Sequence, residues 1–288
     1  MGNVIVSSIT RTPVAQGGGV WGGLGAGESY IYETDFEAGV LGQGITDFVT
    51  TFNTTYSNDI TGPDGSAQVA KMSPPFQAKY FGGNMLNVDY GAGSDIWVSW
   101  YQYFPTGFIF ANGINGDGNG GAGALKWLRL QYVGNSERVT LGIDATGGWT
   151  SGPALEEMQY DWIAGEAMNW VERHGNVNYF YDDPTTPKIP LQQWHQVQMH
   201  IHLSAGDTVV GDGDGFIRTW VDDAYLGQVD RNTMPINGNK LTSIWMGDYW
   251  NGGAPQTQSW YADRVRIADQ PPTTTDSGGR PYIAPVGA

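Results

Sequence analysis

Four side chains at alternate positions, Gln196, Gln198, His200 and His202, raise the first chemical question. Val197, Met199, Ile201 and Leu203 take the positions between and beyond them. A period of two puts the amides and imidazoles on one face of a strand and the apolar set on the other. Two more alternating stretches set cations beside aromatics: Trp127 with Arg129, and Arg218 with Trp220. Gathered on one sheet, these groups suit an acidic sugar. Arginine pairs a uronate carboxylate through two parallel hydrogen bonds, and an indole covers the apolar face of a pyranose. An imidazole tuned near the working pH is a general base for β-elimination. On this reading His200, Gln198 and Arg129 are the catalytic candidates. The ligand-binding candidates are Trp127, Arg129, Gln196, Gln198, His200, His202, Arg218 and Trp220. The plainer reading is a polar sheet face whose histidines make ordinary hydrogen bonds.

Other chemistries have thinner support. Asn115-Gly116-Asp117-Gly118-Asn119-Gly120 matches the first half of a calcium loop, but Lys126 stands at the twelfth position where a bidentate Glu belongs. Asp212 and Asp214 alternate with glycines and offer hard oxygen ligands, so Ca2+ is an expectation at that turn, though no cofactor is required. The same residues favour tight turns for conformational reasons alone. His195 falls on the opposite strand face from His200 and His202, which argues against a three-histidine zinc site. Glu156 and Glu157 are adjacent and would face opposite ways on a strand, unlike the paired carboxylates of a glycosidase. There is no G-x-S-x-G nucleophile turn, and the Gly-rich run at 17–27 lacks the Lys-Ser/Thr of a phosphate loop.

The elements that must position these groups are strands. Asp95–Phe104 is β-branched and aromatic, Leu125–Tyr132 alternates, and Val139–Ile143, Trp194–Leu203, Phe216–Val221, Ser243–Gly247 and Tyr261–Ile267 continue the pattern. Gly, Asp, Asn and Pro separate them. Pro153–Trp162 has the composition for one or two helical turns. Charged residues are only 15% against 43 Gly and 12 Trp, a composition rich in turns and aromatics and poor in helix formers. The chain fits one all-β domain over residues 30–268. A Gly-rich N-terminal arm (1–29) precedes it and a Pro/Thr/Gly-rich C-terminal arm (269–288) follows.

The net charge of −15 repels phosphate backbones and speaks against nucleic acid as a partner. No apolar run reaches the length of a membrane span. There is no Cys, hence no disulfide and no thiolate metal site. The first residues lack the basic and apolar regions of a secretory signal.

Four segments resemble those of concanavalin A-like lectin/glucanase domains. Tyr32-Glu33-Thr34-Asp35-Phe36-Glu37-Ala38-Gly39 looks like their opening strand, and Trp194-His195-Gln196-Val197 like their W-x-x-V strand. Phe216–Val221 followed by Asp222-Asp223 is similar to the next strand and its tight turn, and Tyr261–Ile267 to the closing Y-x-D-x-V-R-I strand. The resemblance covers roughly residues 30–268 and implies a two-sheet antiparallel jelly-roll sandwich whose concave sheet is the usual glycan groove. Gln198-Met199-His200 is similar to the Q-x-H strand of alginate-lyase-type enzymes, which implies a carboxylate-neutralising Gln and a basic His. That family's R-[ST]-E-x-R strand survives only as Ser136-Glu137-Arg138, and its Y-F-K-A-G-x-Y-N-Q strand only as Tyr249-Trp250-Asn251.

Those departures place a non-enzymatic structural module first. It would be a virion component, in capsid decoration or a tail, or an extracellular protein, contacting neighbouring copies or other surface proteins through residues 1–29 and 269–288. A polysaccharide lyase acting on a uronate glycan is the second reading, and a carbohydrate-binding module the third.

Overall fold

A computed structural model describes residues 30, 32–37, 54–78, 86–89, 95–108, 124–132, 138–144, 154–155, 159–163, 189–190, 192–202, 216–230, 241–250 and 253–285. In 86–89, 124–132, 138–144, 154–155, 159–163, 189–190 and 241–250 it describes the backbone only. Strands are β1 (Tyr32–Thr34), β2 (Thr54–Ser57), β3 (Val69–Met72), β4 (Leu86–Asp89), β5 (Asp95–Tyr103), β6 (Ala124–Tyr132), β7 (Arg138–Asp144) and β8 (Ala154–Leu155). They continue as β9 (Gln159–Ile163), β10 (Ile189–Pro190), β11 (Trp194–His202), β12 (Phe216–Val221), β13 (Ala224–Asp230), β14 (Leu241–Trp250) and β15 (Trp260–Ala268). All pairings are antiparallel. No described helix is long and apolar enough to cross a membrane.

The strands form a two-sheet jelly-roll sandwich. An eight-stranded sheet runs β13-β12-β11-β5-β15-β3-β2, with β1 on β15, and a five-stranded sheet runs β4-β14-β6-β7-β9. β8 and β10 pair separately. The opening and closing strands pair: Tyr32 lies opposite Ile267 and Glu33 opposite Arg266. The tight turn after β12 has Asp222 at φ 52°, a left-handed conformation that Asp tolerates better than most residues.

Alternation decides what each face of the eight-stranded sheet does. Ile96, Val98 and Trp100 of β5 lie opposite Ile201, Met199 and Val197 of β11, all fully buried. This is the apolar face that the sandwich turns inward. Each such side chain contributes about 1.5–3 kcal/mol by leaving water. The stretch 153–162 corrects the helical expectation, since it forms β8 and β9. Tyr160 and Trp162 alternate with Gln159 and Asp161, and the pairing of Thr140 with Asp161 and Val139 with Trp162 supplies the backbone partners. Cross-strand hydrogen bonding outweighs a weak local helix preference.

Residues 269–285 do not leave the domain. Thr275 bridges to Pro281, and Tyr282 and Ile283 are buried on the parent sheet. The N-terminal arm, 1–29, lies outside the described residues.

Candidate functional site

The eight-stranded sheet brings together six of the expected residues. Gln198 stands opposite Ser99 and Trp220, His200 opposite Trp97 and Arg218, and His202 opposite Phe216. Gln196 stands opposite Tyr101. This face is closed. Gln196, Gln198 and Trp220 are buried beneath residues 276–284, and His200 is buried against Trp97, Phe216 and Asp95. Gln196 Nε2 donates to Ser99 Oγ (2.7 Å) and to the Ile283 carbonyl (3.0 Å), while Gln198 Oε1 accepts from the Ile283 amide (3.0 Å). Trp220 Nε1 donates to Asp276 Oδ2 (2.9 Å). Arg218 Nε donates to Gln228 Oε1 (2.6 Å), and its guanidinium lies over the Phe216 ring.

The histidines meet at Asp95. His200 Nε2 and His202 Nδ1 each lie 2.9 Å from Asp95 Oδ1. His200 stacks on Trp97 with ring centroids 3.9 Å apart. Burial holds the His200 imidazole below its ordinary value, against the hydrogen bond it donates to Asp95, which favours the charged form. Burial pushes the Asp95 carboxyl up, but the bonds from His200 and His202 outweigh it and hold the group below its usual range. His200 is thus a neutral, stacked, hydrogen-bonded histidine only 4% exposed. A general base must reach the proton it removes, and the His200 ring is covered by the Trp97 stack and the Phe216 edge. His195 sits on the opposite face, with Nδ1 at 2.9 Å from Asp222 Oδ2.

Trp127 and Arg129 are elsewhere. Both lie on β6, in the five-stranded sheet. The expectation that they share a face with β11 is therefore corrected: two alternating strands look alike in sequence, and only long-range pairing assigns each to a sheet. Register places Arg129 in a cross-strand row Asn87–Trp245–Arg129–Thr140–Asp161. The next row on that face is Asp89–Ser243–Gln131–Arg138–Ile163. Between them runs the apolar row Val88–Ile244–Leu130–Val139–Trp162. Bulges in β6 and β14 interrupt the count beyond Leu128 and Met246, and Trp127 falls in the first of them. They return Tyr249, Lys126, Gly142 and Gln159 to the same face as Arg129, since Gly142 and Thr140 share parity on β7.

This face was mostly missed by sequence reasoning. Lys126, Arg129 and Arg138 lie on two of the three inner strands, the central β6 and its neighbour β7, and Asp89 and Asp161 on the outer strands. Three of the chain's 14 Lys+Arg thus share one face in a protein of net charge −15. The signals existed as fragments, Arg138 after Ser136-Glu137 and Tyr249 before Trp250-Asn251, but sequence does not show that they flank Arg129. Asp212, Asp214 and the loop 115–120 lie outside the described residues. Among the described residues no group of three or more His, Asp or Glu is placed to hold a metal ion.

No protein-family model matches the chain, and no curated protein matches it. Solved structures do. Alginate lyase vAL-1 from Chlorella virus superposes with TM-score 0.54 and 14% identity, over 83% of this chain and 99% of that one. The endo-β-1,4-glucuronan lyase of the fungus Trichoderma reesei gives 0.52 and 12%, over 83% and 95%. The PL-14 alginate lyase of Aplysia kurodai gives 0.52 and 10%, over 84% and 99%. At these identities the likeness is one of fold, and it extends over nearly the whole of each neighbour. The chain shares the antiparallel jelly-roll fold of these polysaccharide lyases.

Proposed function

We propose that this chain is a polysaccharide lyase that binds a uronate glycan along the polar face of the five-stranded sheet and cleaves it by β-elimination. The observation that carries the proposal is the register that puts Lys126, Arg129 and Arg138 on one face with Tyr249 and the amides Asn87 and Gln131. The structural neighbours, lyases of alginate and glucuronan, support the same substrate class.

Each role follows from the chemistry. Arg129, with Asn87 and Gln131, neutralises the uronate carboxylate and so acidifies the C5 proton. Tyr249 stands opposite Lys126 in the ladder, on the face of Arg129. The Tyr249 phenolate takes the C5 proton. The C5 electron pair forms the C4=C5 double bond, the C4–O bond breaks, and a protonated side chain or water returns a proton to the leaving oxygen. Nothing is oxidised or reduced.

The test is the ultraviolet absorbance of unsaturated uronates on incubation with polyglucuronate or alginate. Activity lost in Tyr249→Phe and Arg129→Ala, with the fold retained, supports the proposal. Absence of activity on every uronate glycan would sink it in favour of the second reading, a non-enzymatic glycan-contacting module of a virion or cell surface. That reading draws on the missing R-[ST]-E-x-R and Y-F-K-A-G-x-Y-N-Q strands.

A further inference from the structure

The C-terminal segment is held in an unusual way for part of a β-sandwich. Residues 282–285 belong to no ladder, and the segment's one bridge, Thr275 to Pro281, is internal to it. Side chains of the sheet read its main chain instead. The amide of Ile283 donates to Gln198 Oε1, and its carbonyl accepts from Gln196 Nε2, each at 3.0 Å. Two glutamines two apart on β11 thus satisfy both polar groups of one residue. The carbonyl of Pro281 accepts from Trp97 Nε1 at 3.2 Å, and that of Ala284 from Arg266 Nη1 at 3.4 Å. Proline suits the first of these positions, because only its carbonyl is used there.

The side chains add selectivity. Ile283 is fully buried against Trp97 and Ala268. Tyr282 stacks on Trp220 at 6.4 Å and 22°, and its hydroxyl donates to Asp223 at 3.3 Å. The hairpin before it is closed by Asp276. Its Oδ1 accepts from the amides of Gly278 and Arg280, and its Oδ2 from Trp220 Nε1 and Arg280 Nε. Arg280 lies over the Tyr225 ring at 3.5 Å.

Two features limit how firmly the segment is held. Gln196 Oε1 and Gln198 Nε2 are buried with no partner among the described residues. Each unsatisfied buried group opposes the docked state by about 1–3 kcal/mol. In the connection to β15, Gln270, Pro271 and Thr273 are exposed while Pro272 is buried, and no residue of 269–285 belongs to a strand, so undocking breaks no sheet ladder.

We propose that the polar face of the eight-stranded sheet is a peptide-binding site whose ligand is the chain's own C-terminal segment. Pro281–Ala284 is read through its main chain by Gln196, Gln198, Trp97 and Arg266, and it docks and undocks as a unit. The ligand class is an extended peptide with proline, an aromatic and a branched aliphatic residue in succession. The glutamines and indoles of this face serve peptide recognition, independently of any glycan chemistry on the other sheet.

The test uses the full chain with a protease site inserted between Gln270 and Pro271, folded and then cut. The released segment should stay bound on size-exclusion chromatography, and an added labelled peptide of residues 271–288 should exchange into its place. Gln198→Leu should speed exchange about fivefold, the loss of one net main-chain hydrogen bond. Immediate loss of the segment from folded protein would overturn the proposal. So would a segment that never exchanges, or one that exchanges at the parental rate in Gln198→Leu. Should the insertion block folding, hydrogen exchange on the uncut chain decides. The Ile283 amide should exchange well ahead of the β5 and β11 amides, and equal protection would overturn the proposal.

Discussion

The two sheets present polar faces of opposite kinds. On the eight-stranded sheet the face is built of amides, imidazoles and indoles, and its partners are internal: Asp95 for the histidines and the Ile283 main chain for the glutamines. On the five-stranded sheet the middle strands carry Lys126, Arg129 and Arg138. Neutral hydrogen-bonding groups at fixed spacing match a peptide backbone, whereas clustered cations match a polyanion. An alternating polar strand is therefore not yet a binding site. Its partners decide, and the lesson of β11 is that the partner was another part of the same chain.

The largest effect should separate the faces outright. If the five-stranded sheet is catalytic, Tyr249→Phe should cost about 10²–10⁴ in turnover on a uronate glycan, measured by product absorbance, with the melting temperature held. His200→Gln should retain turnover per folded molecule. The reverse pattern would return catalysis to β11. Next in size is stability. Ile283→Ala should cost about 2–5 kcal/mol in denaturant unfolding, because it empties a buried site against Trp97 and Ala268. Truncation of a loosely attached tail would cost almost nothing.

The pH profile offers a finer contrast. Asp263 is buried, accepts from Ser66 Oγ at 2.7 Å, and has its carboxyl pushed up to about 8, chiefly by burial. The folded state holds this proton more tightly than the unfolded chain does. The contribution is complete below the unfolded carboxyl value and is lost as pH rises through about 8. Asp263→Asn should flatten the decline in melting temperature that runs from the ordinary carboxyl range up to pH about 8. His200 and Asp95 act in the other direction, since both are held below their ordinary values. Their contribution is present at neutral pH. It falls as pH drops below the ordinary histidine range, and again as Asp95 protonates. Asp95→Asn should remove the carboxylate part of that acid loss. The smallest effect is ionic: glycan affinity should weaken with added salt if the cationic face binds it, while docking of the C-terminal segment should barely respond.

Much of the fold was legible in residues. The strand expected over Trp194–Leu203 is β11, Trp194–His202, and the closing strand expected over Tyr261–Ile267 is β15, Trp260–Ala268. Period-two patterns and aromatic content find such strands because burial on one face writes itself into local sequence. Sheet membership is not local. Leu125–Tyr132 and Trp194–Leu203 both alternate, yet they lie in different sheets. The C-terminal segment was opaque for another reason. Side chains of distant strands hold its backbone, so it needs no periodicity of its own, and Pro271, Pro272 and the glycines Gly278 and Gly279 read as an arm.

The pairing of β1 with β15 has a consequence for how the molecule is made. Tyr32 cannot find Ile267, nor Trp97 and Trp220 their cover at Pro281–Ile283, until those distant partners have been synthesised. The closing contacts span almost the whole chain, so their assembly is slow relative to local pairing. A product cut short after β15 would have every strand of both sheets and still display two indoles and two empty glutamines. Such a fragment is the sort of surface that chaperones and proteases recognise.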